Sequence, residues 1–312
     1  MAGCTQGQRT EWHRIPSSEF RFTSAGGLRV ACARWDSLGP APGVVQIAHG
    51  MSEHIGRYAG TIEALVSAGW TVYGNDHRGH GRTASYAARL GDFGEGGFDQ
   101  LAADMFHLRR IAKEENPGKP FIQMEHSMGS FASQQYILDH SREVDGMILS
   151  GTLNELAQMA SEAPEGKNIL NAQFEPARTQ LDWLTRDIAV VDAFINDPLC
   201  LAQLQPASFA AFLGAAPRLS DPARVGKIRA DLPIYLFSGS EDPVGQQLEG
   251  VKLLVERYRR AGLHHISQDF YSGGRHEMLN EINRAELLNN LLGWLAGLVE
   301  KQEGESKPGK LS

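Results

Sequence analysis

Phe121-Ile122-Gln123-Met124-Glu125-His126-Ser127-Met128-Gly129-Ser130 decides how the chain is read. Its first half is a short apolar run of the kind that makes a buried strand, and from Met128 onward the pattern turns helical. His-Ser-Met-Gly stands at the junction, which is the layout of a nucleophile elbow. A serine at a sharp strand-to-helix turn has its hydroxyl exposed above the sheet, and the N–H of the next residue, here Met128, points to where an oxyanion would form. Glycine usually stands two residues before and two after such a serine, because strand and helix almost touch there. Gly129 fills the second position, but Glu125 occupies the first, so the motif reads E-x-S-x-G and is weak by itself.

The flanking chain supplies the rest of the reading. Upstream, Phe20–Thr23 and Leu28–Trp35 alternate apolar and polar residues around Ala25-Gly26-Gly27, an antiparallel hairpin suited to a sheet edge. Val44–Ala48 is a near-continuous apolar run, as in strands covered on both faces, and it ends in His49-Gly50-Met51-Ser52-Glu53-His54. Helical spacing over Tyr58–Ala68, a strand over Thr71–Asp76 and an amphipathic helix over Phe98–Glu115 lead to the elbow. Downstream, Gly146–Gly151 is another buried strand. Between about Thr152 and Asp221 the alternation breaks, and a segment this long predicts a small helical cap rather than a bare loop. The pattern resumes with a strand over Leu232–Gly239, a helix over Leu248–Ala261, a strand over Ser267–Tyr271 and a helix over Asn280–Leu298. Repeated strand–helix units joined by short loops imply a mostly parallel sheet with helices on both faces. The expected organisation is an N-terminal tail (1–18), an α/β core (19–151 and 222–299), a cap (152–221) and a disordered C-terminal tail (300–312).

Composition narrows the function. A chain of 312 residues with 42% hydrophobic content buries a large core, and a net charge of −7 speaks against nucleic acid, whose phosphates need a basic face. Without a signal-peptide core or a run of roughly 20 apolar residues, the expectation is a soluble, cytoplasmic protein. Cys4, Cys32 and Cys200 are widely spaced and odd in number, as in a reducing compartment.

Three strand ends carry a nucleophile, an acid and a base in the order Ser127, Asp242, His276. Asp242 lies in Ser240-Glu241-Asp242-Pro243, although Glu241 or Asp269 could be the acid instead; His276 lies in Gly273-Gly274-Arg275-His276-Glu277. With these in place the chain resembles the monoacylglycerol lipases and lysophospholipases of the α/β-hydrolase superfamily, the S33 type. HGMSEHIGRY is similar to that family's oxyanion loop, NDHRGHGRT to its next strand end, EHSMGS to its elbow, SGSEDPV to its acid turn and YSGGRHEMLNE to its histidine loop, in register over roughly residues 20–298. Asp197-Pro198-Leu199 in the cap also resembles the family. The resemblance implies an α/β-hydrolase fold, hydrolysis of an acyl ester such as a monoacylglycerol under a lipophilic cap, and no metal or organic cofactor. Met51 and Met128 would supply the oxyanion N–H groups.

Rival readings remain at this point: a lysophospholipase, a serine hydrolase acting on amide or carbon–carbon bonds, or a catalytically silent ligand binder on the same fold. Val190–Leu213 would line the acyl tunnel and offer a peripheral lipid contact, and the oligomeric state is left open. Glu125 either finds a local hydrogen-bond or cationic partner, or joins His49 in a supporting shell around the triad. His49, His54, His77 and His80 sit on glycine-rich loops without the i, i+4 pairing of helical metal sites, so they read as structural hydrogen-bonding groups. Glu95 and Asp99 read as surface charges or helix caps.

Overall fold

The computed structural model describes residues 16–84, 89–153, 169–200 and 203–305. Eight strands form one sheet: β1 (Ser18–Thr23), β2 (Arg29–Trp35), β3 (Val44–Ala48), β4 (Thr71–Asn75), β5 (Phe121–His126), β6 (Gly146–Ser150), β7 (Ile234–Gly239) and β8 (Ile266–Tyr271). Their spatial order is β1-β2-β4-β3-β5-β6-β7-β8. The hairpin of β1 and β2 is antiparallel, with Phe20 opposite Cys32, and β2 runs antiparallel to β4. Every pairing from β4 across to β8 is parallel. The strands from β3 to β7 are buried along their whole length, which is why their sequences are apolar runs rather than alternations.

Helices cover both faces, as the alternation predicts. On one face, α1 (Ala59–Ser67) and α9 (Arg284–Glu305) bury Ile62, Leu65, Leu287, Leu291 and Leu295. On the other, α2 (Gly97–Glu115), α3 (Met128–His140) and α8 (Glu249–Arg260) bury Leu101, Leu108, Phe131, Val251 and Leu254. The sheet order reverses at β3, which is flanked by β4 on one side and β5 on the other. Such a switch point opens a crevice beyond the carboxyl ends of the two strands, where the loop after β3 meets the elbow after β5.

Between β6 and β7 the described chain carries α4 (Ile188–Asn196), α5 (Pro206–Leu213), α6 (Ala216–Leu219) and α7 (Pro222–Val225). Asp187 starts α4 by accepting the Ala189 N–H, and Asp221 starts α7 by accepting that of Ala223. Phe212 of α5 lies against Phe98 and Phe131, with ring centroids 5.1 and 5.7 Å away. Part of the stretch expected to line a tunnel therefore packs sideways onto α2 and α3.

The last helix departs from the sequence-based boundaries. It begins at Arg284, because the buried Glu281 turns its carboxylate onto the Arg186 and Arg275 backbone N–H groups and holds its own backbone extended. It runs through to Glu305, past residue 300 where a disordered tail was expected, since Glu300-Lys301-Gln302-Glu303 are good helix formers. Residues 1–15 and 306–312 of the expected tails, and 154–168 and 201–202 of the expected cap, lie outside the described residues. Among the described residues no helix is long and apolar enough to cross a membrane.

Candidate active site

Ser127 joins β5 to α3 with φ 52° and ψ −121°, a conformation that L-residues rarely hold. The surroundings enforce it. The Ser127 N–H donates to the Ser150 carbonyl (2.9 Å), and the Ser127 carbonyl accepts from the Ser130 N–H (2.8 Å) and the Ser130 hydroxyl (2.7 Å). A Cβ at Gly129 would lie 2.6 Å from the Ala48 carbonyl oxygen and 2.7 Å from that of His49, so the helix can pass β3 this closely only with glycine there. Met128 is the first residue of α3, where a helical N–H has no intrahelical acceptor.

His276 and Asp242 meet. The imidazole Nδ1 lies 3.0 Å from Asp242 Oδ1, and both side chains are almost fully buried. Of the three candidate acids, Asp242 alone faces the imidazole: Glu241 is exposed, and Asp269 accepts from the Tyr235 hydroxyl (2.6 Å). Acid turn and histidine loop are stitched together by Glu241 N–H to the Gly274 carbonyl (2.9 Å) and Gly273 N–H to the Ser240 hydroxyl (2.8 Å). A Cβ on Gly239 would sit 2.0 Å from that Gly274 oxygen. Burial by itself would depress the His276 pKa, but the Asp242 carboxylate outweighs it, with Glu277 and Glu53 adding to the effect, and the net shift is upward. The His276 ring stands 4.6 Å from that of His126, the residue before Ser127, and 4.9 Å from that of Trp183. His126 is driven well below its ordinary value by burial and then by the charges of His276 and Arg57.

The loop after β3 lies against the elbow: a Cβ on Gly50 would come within 3.1 Å of Ser127 Cβ. His49 Nε2 accepts the His77 N–H (2.9 Å), which leaves Nδ1–H to donate to the Gly50 carbonyl (2.7 Å). Because the peptide is planar and trans, holding that carbonyl also fixes the direction of the Met51 N–H on the same plane. The neighbouring Gly50 N–H donates to Glu53 Oε1 (2.5 Å).

The other loop histidines are likewise hydrogen-bonded. His80 Nδ1 lies 3.0 Å from the Arg78 carbonyl, and burial brings His77 down to about 3 and His80 to about 4. His54 Nε2, Asp197 and Cys200 bring three donor atoms within 4.8 Å of one another. Yet His54 Nδ1 accepts the Gly56 N–H (3.2 Å), so Nε2 carries the proton and donates it to Asp197 Oδ2 (2.8 Å). That imidazole bridges the β3 loop to the segment after α4 rather than offering a lone pair to a metal.

Glu125 sits apart from these groups. Its side chain is buried on the α2–α3–α8 face, where burial pushes its carboxyl well upward and the Ser133 hydroxyl opposes the shift. Neither carboxylate oxygen has a hydrogen-bond partner. Glu95 is exposed, and Asp99 pairs with Arg218 (2.9 Å) at the surface. Sequence reasoning passed over Glu53, Arg57, His126, Trp183 and Glu277. The available signals were Glu53 and Arg57 four residues apart beside the β3 loop, and Glu277 next to His276.

A doubly wound sheet with an elbow serine at its switch point and a buried carboxylate–imidazole pair at the next strand ends defines an α/β-hydrolase. The match to the family model described as serine aminopeptidase, S33, over residues 39–283 is specific enough to say that the chain belongs to that family. It is 30% identical to the monoacylglycerol lipase of Mycolicibacterium smegmatis, with 89% of this chain and 96% of that one covered. It is 27% identical to the mouse monoglyceride lipase, covering 87% and 86%. The crystal structure of a thermostable carboxyl esterase from Bacillus coagulans in complex with glycerol superposes with a TM-score of 0.84 at 28% identity, covering 91% of this chain and 99% of that one. Together these make the chain a serine ester hydrolase.

Proposed function

We propose that the protein cleaves monoacylglycerols or short to medium acyl esters through an acyl-enzyme, with Ser127 as nucleophile, His276 as general base and acid, and Asp242 as its orienting partner. The observation that carries this reading is the buried His276–Asp242 contact of 3.0 Å, with the imidazole 4.6 Å from the ring of His126, the residue that precedes the strained Ser127. Asp242 accepts the Nδ1 proton, which leaves the Nε2 lone pair to take the Ser127 proton as the hydroxyl attacks the ester carbonyl. The backbone N–H groups of Met128 and Met51 then hold the tetrahedral oxyanion, each worth about 3–4 kcal/mol. His276 returns its proton to the leaving alcohol, and water, activated by the same imidazole, releases the acid. His49 serves this step by fixing the Gly50–Met51 peptide. Glu125, buried beneath α3 with neither carboxylate oxygen hydrogen-bonded, lacks the local hydrogen-bond partner expected of it, and we assign it no part in the reacting assembly.

Residues 152–221 are assigned as the cap over a core of 19–151 and 222–299. Supporting this, the Glu277 N–H donates to the Leu184 carbonyl (2.7 Å), and Trp183 covers the imidazole. Ile188 and Ile195 of α4 and Phe209 of α5 are exposed apolar side chains, which suit a transient contact with a lipid surface. A cytoplasmic location fits the free, buried Cys32 and Cys200.

The test is turnover of monoacylglycerols of graded chain length, beside a lysophospholipid, by wild type and Ser127→Ala. The expected result is faster cleavage of the glycerol esters and a loss of about 10⁴-fold or more in the variant. Absence of ester cleavage by the wild type would overturn the proposal.

A further inference from the structure

One buried ionic assembly spans the two loops that the proposed reaction needs. Arg57 sends Nη1 to Glu53 Oε2 (2.7 Å) and Glu277 Oε1 (2.6 Å), and Nη2 to Glu277 Oε2 (2.6 Å). All three side chains are at least nine-tenths buried. Glu53 Oε1 accepts both the Gly50 N–H (2.5 Å) and the Tyr58 hydroxyl (2.8 Å), while Glu277 Oε2 also accepts from Asn280 (3.1 Å). Phe194 of α4 lies 4.5 Å from the guanidinium carbon. The chain of bonds thus runs from the Gly50 N–H, through Glu53 and one guanidinium, to the residue after His276.

We propose that Arg57 is a positioning residue that clamps the oxyanion loop to the histidine loop through the Glu53 and Glu277 carboxylates. This rests on the ester-hydrolase reading. A bidentate guanidinium–carboxylate pair fixes direction as well as distance, and a lysine cannot reproduce it. Burial pushes the Glu53 carboxyl upward, whereas at Glu277 the effect of burial is outweighed by Arg57, so the Glu277 carboxylate next to His276 is the charge that favours the imidazolium formed as Ser127 attacks. The charged and titratable groups facing that imidazole are Asp242, Glu277 and Glu53, which favour its charged form, and the His126 ring 4.6 Å away, which is itself held neutral by burial, by His276 and by Arg57. Asp197 and Cys200 lie near Arg57 from the cap side.

Kinetics of the full chain on a soluble ester test the clamp, with melting temperature measured in parallel. Arg57→Met should lower kcat about 100-fold while KM stays within about threefold, and Arg57→Lys should recover only part of the loss. Glu277→Gln keeps the shape but removes the charge, and should move the acid limb of the kcat/KM profile to lower pH; it serves as the test should Arg57→Met not fold. A kcat for Arg57→Met within about threefold of wild type, or an unmoved acid limb in Glu277→Gln with only stability changed, would overturn the proposal. An inactive wild type would instead sink the ester-hydrolase reading.

Discussion

Ser127 and Glu125, two residues apart on the same turn, carry opposite kinds of cost. Ser127 holds a positive φ whose strain is of order 1–3 kcal/mol for a residue with a side chain. Ser127→Gly should therefore raise the denaturation midpoint, by a net ~1 kcal/mol after the extra entropy of unfolded glycine, while abolishing turnover; a fall in the midpoint would show the turn to be unstrained. Glu125 is buried with its pKa raised from 4.5, so folding binds a proton there. Its contribution is fully present below that value and is lost as pH rises toward the folded-state value. The stability of wild type minus that of Glu125→Gln should accordingly decline as pH rises above about 4.5, and parallel curves would contradict a buried, titrating carboxyl. At this scale Ser127, Asp242 and His276 were legible as candidates because each follows a strand end. The surroundings of Glu125 were hidden, since which helix covers a given strand face depends on packing between segments far apart in the chain.

Elements are joined here by a few buried polar bridges as well as by apolar faces. Arg78, in the loop after β4, sends Nε to Asp104 of α2 (2.9 Å), Nη1 to the Phe93 carbonyl (2.6 Å) and Nη2 to the Ser24 hydroxyl (3.0 Å). Its side chain is 1% exposed and that of Asp104 is 2%. Removing one partner leaves an uncompensated buried charge, so Arg78→Met should cost about 3–5 kcal/mol in chemical denaturation, and the double change Arg78→Met/Asp104→Leu should recover much of it. A single variant as stable as wild type would show the bridge to be dispensable. Such links join residues 15 to 54 apart and leave no periodic trace. Amphipathic helices are different: α8 places Val251, Leu254, Val255 and Tyr258 on one face, and the spacing locates it to within a residue at each end.

For the whole molecule, the parallel sheet and its two helical layers were legible because central strands must be apolar throughout and hairpins must alternate. The sideways packing of α5 was not, because an apolar helix reads the same whether it lines a tunnel or leans on α2 and α3. What the architecture accomplishes is convergence: β3, β5, β7 and β8 end on one edge of the sheet and deliver the Met51 loop, Ser127, Asp242 and His276 to one crevice. Activation of that serine by the imidazole is the central claim, and covalent trapping tests it most directly. Treated with a fluorophosphonate and mapped by peptide mass, the wild-type protein should carry one adduct, on Ser127, and His276→Ala should label far more slowly. A wild-type chain that stays unmodified, or carries the adduct on another residue, would contradict the account.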